Sequence, residues 1–85
     1  MILPEDLTAL LAPAFPDGHV HINDLTGTRD HYEAVIVSSS FVGQRPLERH
    51  RRVYAALGTA VGTQIHALAL QTLTPDEARL SGQKA

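Results

Sequence analysis

The 85-residue chain is 44% hydrophobic and 19% charged, with neither cysteine nor tryptophan, which describes one small domain with a modest core and little room for a large enclosed active site. Without cysteine it cannot form a disulfide, a cysteine zinc site, a thiol nucleophile or an iron-sulfur cluster held by this chain alone. Seven basic against nine acidic side chains leave a formal charge of −2, which argues against a surface that grips nucleic acid all round. No apolar run approaches the roughly 18 residues of a membrane span. The opening residues, Met1 to Asp6, turn acidic where a secretory leader would be basic, so the expectation is a soluble, cytoplasmic protein.

Pro4 suits the first turn of a helix, Glu5 and Asp6 complement its amino end, and Leu7, Leu10, Leu11 and Ala14 keep helical spacing, with a stop near Pro13. Phe15-Pro16-Asp17-Gly18 reads as a turn. Val20 and Ile22 then alternate with His19, His21 and Asn23, the period of a half-buried strand. Leu25 to Asp30 connects this strand to a second, His31 to Ser38, as a hairpin. In the second strand Tyr32, Ala34 and Ile36 share one face and Val35 and Val37 the other, so its later half is apolar on both sides and should lie centrally.

After Phe41-Val42-Gly43, Pro46 opens a second helix that runs through Leu57. At about 100° per residue, Leu47, His50, Val53, Tyr54, Leu57 and Val61 fall in one apolar arc, with Arg45, Glu48, Arg49, Arg51 and Arg52 opposite. Gly58 and Gly62 weaken or end that helix, and Ile65 to Thr72 reads as a third strand. Thr74-Pro75-Asp76-Glu77 spells N-cap, first-turn proline and capping box for a short last helix. The domain is expected over residues 1–80, with 81–85 frayed.

The order αββαβα predicts an α+β fold, a three-stranded mixed sheet with helices packed on it. Strands two and three are joined through a helix, which favours a right-handed crossover and parallel pairing. Parallel strands start at the same end of a sheet, so His31 and His66 should lie together there, beside the loop 25–30.

Five histidines in so short a chain are the compositional oddity. His50 lies in the apolar arc of the second helix and reads as a partly buried ring bonded to backbone. His19 and His21 share a strand face, a spacing that a transition metal can use, although a solvated face is the commoner reason for it. His66, in line with Leu68 and Leu70, is either an edge histidine or a ligand. Enzymatic chemistry finds no nucleophile elbow and no glycine-rich phosphate loop, and no enzyme activity is expected. A dyad of His31 with Asp30 is opposed by the pleat, which points neighbours to opposite faces.

A basic stretch, Arg45, Arg49, Arg51 and Arg52 against Glu48, could reach phosphates along a groove, with Arg45, Arg49 and Arg52 as the candidate contacts, or could be a solvated helix face. The GxxG loop of a KH domain is missing, since Gly58 and Gly62 are spaced GxxxG.

His31-Tyr32-Glu33, Val35-Ile36-Val37-Ser38, Phe41-Val42-Gly43, Leu47 to Tyr54, Ile65-His66-Ala67-Leu68 and Thr72-Leu73-Thr74-Pro75 occur in one order and without large gaps. This succession resembles the BolA family from about Val20 to Ala78. The resemblance implies the same αββαβα fold, akin to class II KH domains. It also implies a partner of monothiol glutaredoxins that shares a 2Fe-2S cluster with glutaredoxin and glutathione, with none expected in the isolated chain, which would be a monomer alone and a heterodimer with glutaredoxin. His66 carries over as the ligand of the IHAL element. The loop position where many relatives have cysteine falls on Thr28, a poor ligand, and His31 is the nearest replacement as second ligand. Cluster trafficking or iron and redox sensing would follow. A second activity of the family, DNA binding with stress-linked transcriptional control of cell shape, would use the basic helix.

Overall fold

The computed structural model describes residues 3–25, 27, 31–58 and 67–82. Its elements are α1 (Pro4–Leu11), a single 3-10 turn at Ala12–Ala14, β1 (His19–Asp24), β2 (His31–Val37), a second 3-10 turn at Ser39–Phe41, α2 (Pro46–Leu57), β3 (Ala67–Leu73) and α3 (Pro75–Ser81). The sheet order is β1-β2-β3, with β1 antiparallel and β3 parallel to the central β2. This is the α+β mixed sheet that the element order predicts. All three helices begin with proline in the first turn, where its missing N–H costs no helical bond. At α3 the capping box forms as the sequence spells it: Glu77 N–H donates to Thr74 Oγ1 at 3.2 Å, and Thr74 N–H donates to Glu77 Oε1 at 2.8 Å.

Period-two burial puts Tyr32, Ala34 and Ile36 in one core with Leu7 and Leu11 of α1, Val53 and Leu57 of α2, and the rings of Phe15 and Phe41. Val20, Ile22, Leu68 and Leu70 pack around it. Val35 and Val37 are buried as well, so the later half of β2 is covered on both sides, as its composition predicts. Each large side chain taken fully from water contributes roughly 1.5 to 3 kcal/mol, so this small set supplies most of the drive to fold.

The face that α2 presents agrees with the predicted arc at the buried Val53 and Leu57 and differs from it elsewhere. Leu47 is 60% and Tyr54 42% exposed, whereas Arg49 and Arg52 are half-buried beside Val53, Ala56 and Leu57. Val61, the last member of the predicted arc, lies outside the described residues. The reason is chemical. Phe15 and Phe41 stack at 5.2 Å between centroids, and the guanidinium carbons lie over these rings, Arg52 at 5.3 Å from Phe15 and Arg49 at 5.8 Å from Phe41. An arginine stem is apolar and its cation is attracted to a π face, so these two residues cover the aromatic pair better than Leu47 and Tyr54 could from their side of the helix.

A second tie joins the approach to β1 with the exit of β2. The Asp17 carboxylate accepts from Ser38 Oγ at 3.0 Å, from the Ser39 backbone N–H at 2.9 Å and from the Ser39 hydroxyl. Ser38 is fully buried and its Oγ also contacts Ser40 Oγ at 2.6 Å. Beside this tie Gly18 has no room for a side chain, because a Cβ there would sit 1.9 Å from the Val37 carbonyl oxygen.

Candidate functional site

His31 opens β2, is half-buried, and has Ala67, the first residue of β3, as its register partner. Its carbonyl accepts from the Leu25 N–H at 2.9 Å, which closes the hairpin end beside it. Ala67 follows His66 by one peptide bond. His66 and Thr28 themselves lie outside the described residues, as do Arg29 and Asp30. Glu33, two residues along the same face of β2, accepts from Asn23 Nδ2 at 3.0 Å. Among the described residues no three histidine or acidic side chains converge to hold a metal ion. With no cysteine in the chain, imidazole and carboxylate are the side chains that could hold a metal ion.

The candidate nucleic-acid residues fall into two groups. Arg49 donates from Nε to the Gln44 carbonyl at 2.9 Å, from Nη1 to the Thr72 carbonyl at 3.1 Å, and from Nη1 to Glu77 Oε1 at 2.7 Å. Arg52 donates to the Ser40 carbonyl at 3.2 Å. Both are engaged within the fold. Arg45, the residue that caps α2, and Arg51 within it are exposed to solvent. His50 is half-buried as expected, but its ring bonds no described residue, in contrast to the predicted backbone bond. His19 and His21 are both exposed on β1. The sequence carries no local sign of the Arg49–Glu77 or Asp17–Ser38 ties, whose members stand 28 and 21 residues apart.

Hydrogen bonding holds two carboxyls below their ordinary values. For Glu77 the main cause is its bond from Arg49, followed by the Thr74 backbone N–H; for Asp17 it is the Ser39 hydroxyl. A depressed carboxyl binds its proton less readily in the native than in the unfolded chain, so its stabilisation is present above the ordinary carboxylate range and is lost as pH falls through it. Urea midpoints measured against pH should therefore drop from about pH 5 toward pH 2, and Asp17→Asn should flatten part of that slope. An equal slope in Asp17→Asn and wild type would contradict this.

The fold defines a small α+β domain, a three-stranded mixed sheet with three helices. The family model described as BolA-like protein matches residues 13–77. Human BolA-like protein 1 is 46% identical over 57 residues, which cover 67% of this chain and 42% of that protein, so the chain aligns with less than half of the human relative. The DNA-binding transcriptional regulator BolA of Escherichia coli strain K12 is 38% identical over 78 residues, covering 88% of this chain and 74% of that protein. Among solved structures, a bolA protein homologue from Coxiella burnetii superposes with a TM-score of 0.77 at 36% identity, covering 93% of this chain and 99% of the other. BolA1 from Mus musculus superposes at 0.80 with 31% identity, covering 95% and 72%. The chain belongs to the BolA-like protein family. No helix among the described residues is long and apolar enough to cross a membrane.

Proposed function

We propose that this chain is the partner of a monothiol glutaredoxin and contributes imidazole ligands to a 2Fe-2S cluster shared with glutaredoxin and glutathione, His66 as first ligand and His31 as second. The reading is supported by the register of the parallel pair, in which His31, at the start of β2, stands opposite Ala67, the residue that follows His66 in the chain. The family's glutaredoxin partnership supplies the rest. Replacing thiolate by neutral imidazole on one iron raises the reduction potential, which suits a cluster that is handed on or that senses redox state. The donated imidazole must be deprotonated, so binding weakens at acid pH.

Mixing tests it. The isolated chain is expected to be colourless and to change the visible absorption and circular dichroism of a cluster-loaded monothiol glutaredoxin. His66→Ala abolishes the change and His31→Ala weakens it. A wild-type spectrum from His66→Ala, together with an altered one from His50→Ala, would overturn the assignment. Repeating the mixing with apo glutaredoxin separates cluster sharing from docking without cluster.

DNA binding is the second reading, favoured by the name of the Escherichia coli relative. On this fold it would rest on the exposed Arg45 and Arg51, because Arg49 and Arg52 are engaged internally. Removing one phosphate contact lowers the slope of log affinity against log salt by about 0.9, so Arg51→Ala should reduce it by that amount. Failure of the wild type to bind any duplex at low salt removes this reading.

A further inference from the structure

His19 and His21 occupy alternate positions of the edge strand β1 and are exposed, while Val20 and Ile22 pack toward the core. Their register partners are Val37 and Val35, so they lie four to six residues along β2 from His31, roughly 13 Å or more at 3.3 Å per residue. They belong to a different part of the sheet from His31.

A chain of bonds fixes the His21 ring. Its Nε2 lies 3.0 Å from Asn23 Oδ1, and Asn23 Nδ2 donates to Glu33 Oε1 at 3.0 Å. Only one arrangement of protons satisfies all three groups. A carboxylate only accepts, so Asn23 must turn its NH2 to Glu33 and its oxygen to His21; that oxygen also only accepts, so His21 Nε2 carries the hydrogen. In the neutral ring Nδ1 then holds the free lone pair. His19 lies two residues before it on the same exposed face, and its ring bonds no described residue.

A ring N–H held by an amide, which is itself held by a carboxylate, is how metal-binding imidazoles are fixed in tautomer and orientation. We propose that His19 and His21 form a two-imidazole site for a late first-row divalent cation, Cu2+ ahead of Ni2+ and Zn2+, with Asn23 and Glu33 as positioning residues. Residues two apart on a strand are about 6.6 Å apart at Cα, and metal–nitrogen bonds of about 2.0 Å let both rings meet one ion by side-chain rotation. Water completes the coordination. Two protein ligands and an open edge strand make this a reversible site, not a structural one.

The test is a titration of the whole chain with Cu2+ alone at neutral pH, followed by calorimetry and by the nitrogen hyperfine pattern in electron paramagnetic resonance, without glutaredoxin or cluster. Wild type is expected to bind one equivalent more than His19→Ala/His21→Ala, with two imidazole nitrogens in that additional signal. Asn23→Ala keeps both rings and should weaken that equivalent by about 10- to 100-fold. His31→Ala, His50→Ala and His66→Ala should bind it as wild type does, and all substitutions on the exposed face should leave the urea midpoint unchanged. Equal stoichiometry in wild type and the double variant overturns the site. Unchanged affinity in Asn23→Ala overturns the positioning role.

Discussion

Gly18→Ala should remove a large part of the stability of this fold, by about 4 kcal/mol or more, with urea midpoints as the measure. The added Cβ would lie 1.9 Å from the Val37 carbonyl oxygen and 3.0 Å from its carbon, both backbone atoms that no rotamer change can move aside. Neither neighbour can withdraw cheaply. On one side His19 is already in ladder register with Val37, and on the other the Asp17 carboxylate holds the Ser38 hydroxyl and the Ser39 N–H. To admit a methyl group, the start of β1 must peel from the end of β2 and break that tie. A domain of this length is stable by only about 4 to 13 kcal/mol, so the loss is a substantial share of the whole. Gly43 provides the contrast. Its φ of +79° is unfavourable for alanine, but nothing lies within 4 Å of a Cβ there, so Gly43→Ala should cost only the conformational penalty of about 1 to 2 kcal/mol. Equal midpoints for the two variants would mean that the close approach at Gly18 is not what that glycine serves.

Much of this architecture is written locally. Alternation in 19–23, the two-sided apolar half of β2, the helix-borne crossover and the Thr74–Glu77 capping box each depend on neighbours within a few residues, and each is found as read. The position of His31 opposite the start of β3 follows from the same topology, because parallel strands must begin together. Long-range pairing is where the reading stops. The rule that sends arginine to solvent is right about Val53 and Leu57 but misplaces Arg49 and Arg52 on α2, since it cannot know that Phe15 and Phe41, 26 residues apart in sequence, stack into a surface that two guanidinium groups can cover. Likewise Ser38 reads as the end of a strand, whereas its buried hydroxyl serves Asp17 from the far side of the hairpin. The tautomer of His21 is equally invisible until Glu33 is set opposite Asn23 by the register.

Arg49→Ala should lower the melting temperature by roughly 12 to 24 °C, whatever it does to any binding activity. The guanidinium joins α2 to both β3 and α3. Its side chain is only 11% exposed, and its donors reach the Gln44 carbonyl, the Thr72 carbonyl and the Glu77 carboxylate. Thr72 is buried, so its carbonyl loses a charged donor in a place where water is a poor substitute. Bonds from a charged donor contribute about 1.5 to 3 kcal/mol each, and the two carbonyls together suggest a loss on the order of 3 kcal/mol. The half-exposed ion pair with Glu77 adds a pH dependence rather than a large stability term, because water screens it. Arg49→Lys separates charge from shape. A lysine keeps the cation, but its single nitrogen cannot address three acceptors in the plane of a guanidinium, so most of the loss should remain. Arg51→Ala, on the exposed side of the same helix, should stay within about 0.5 kcal/mol of wild type. If Arg49→Ala melted with wild type while Arg51→Ala fell, the inward face assigned to α2 would be wrong. If Arg49→Ala is destabilised as expected, weakened DNA binding in that variant reports loss of the fold, and Arg45 and Arg51 are the positions at which a phosphate contact is to be sought.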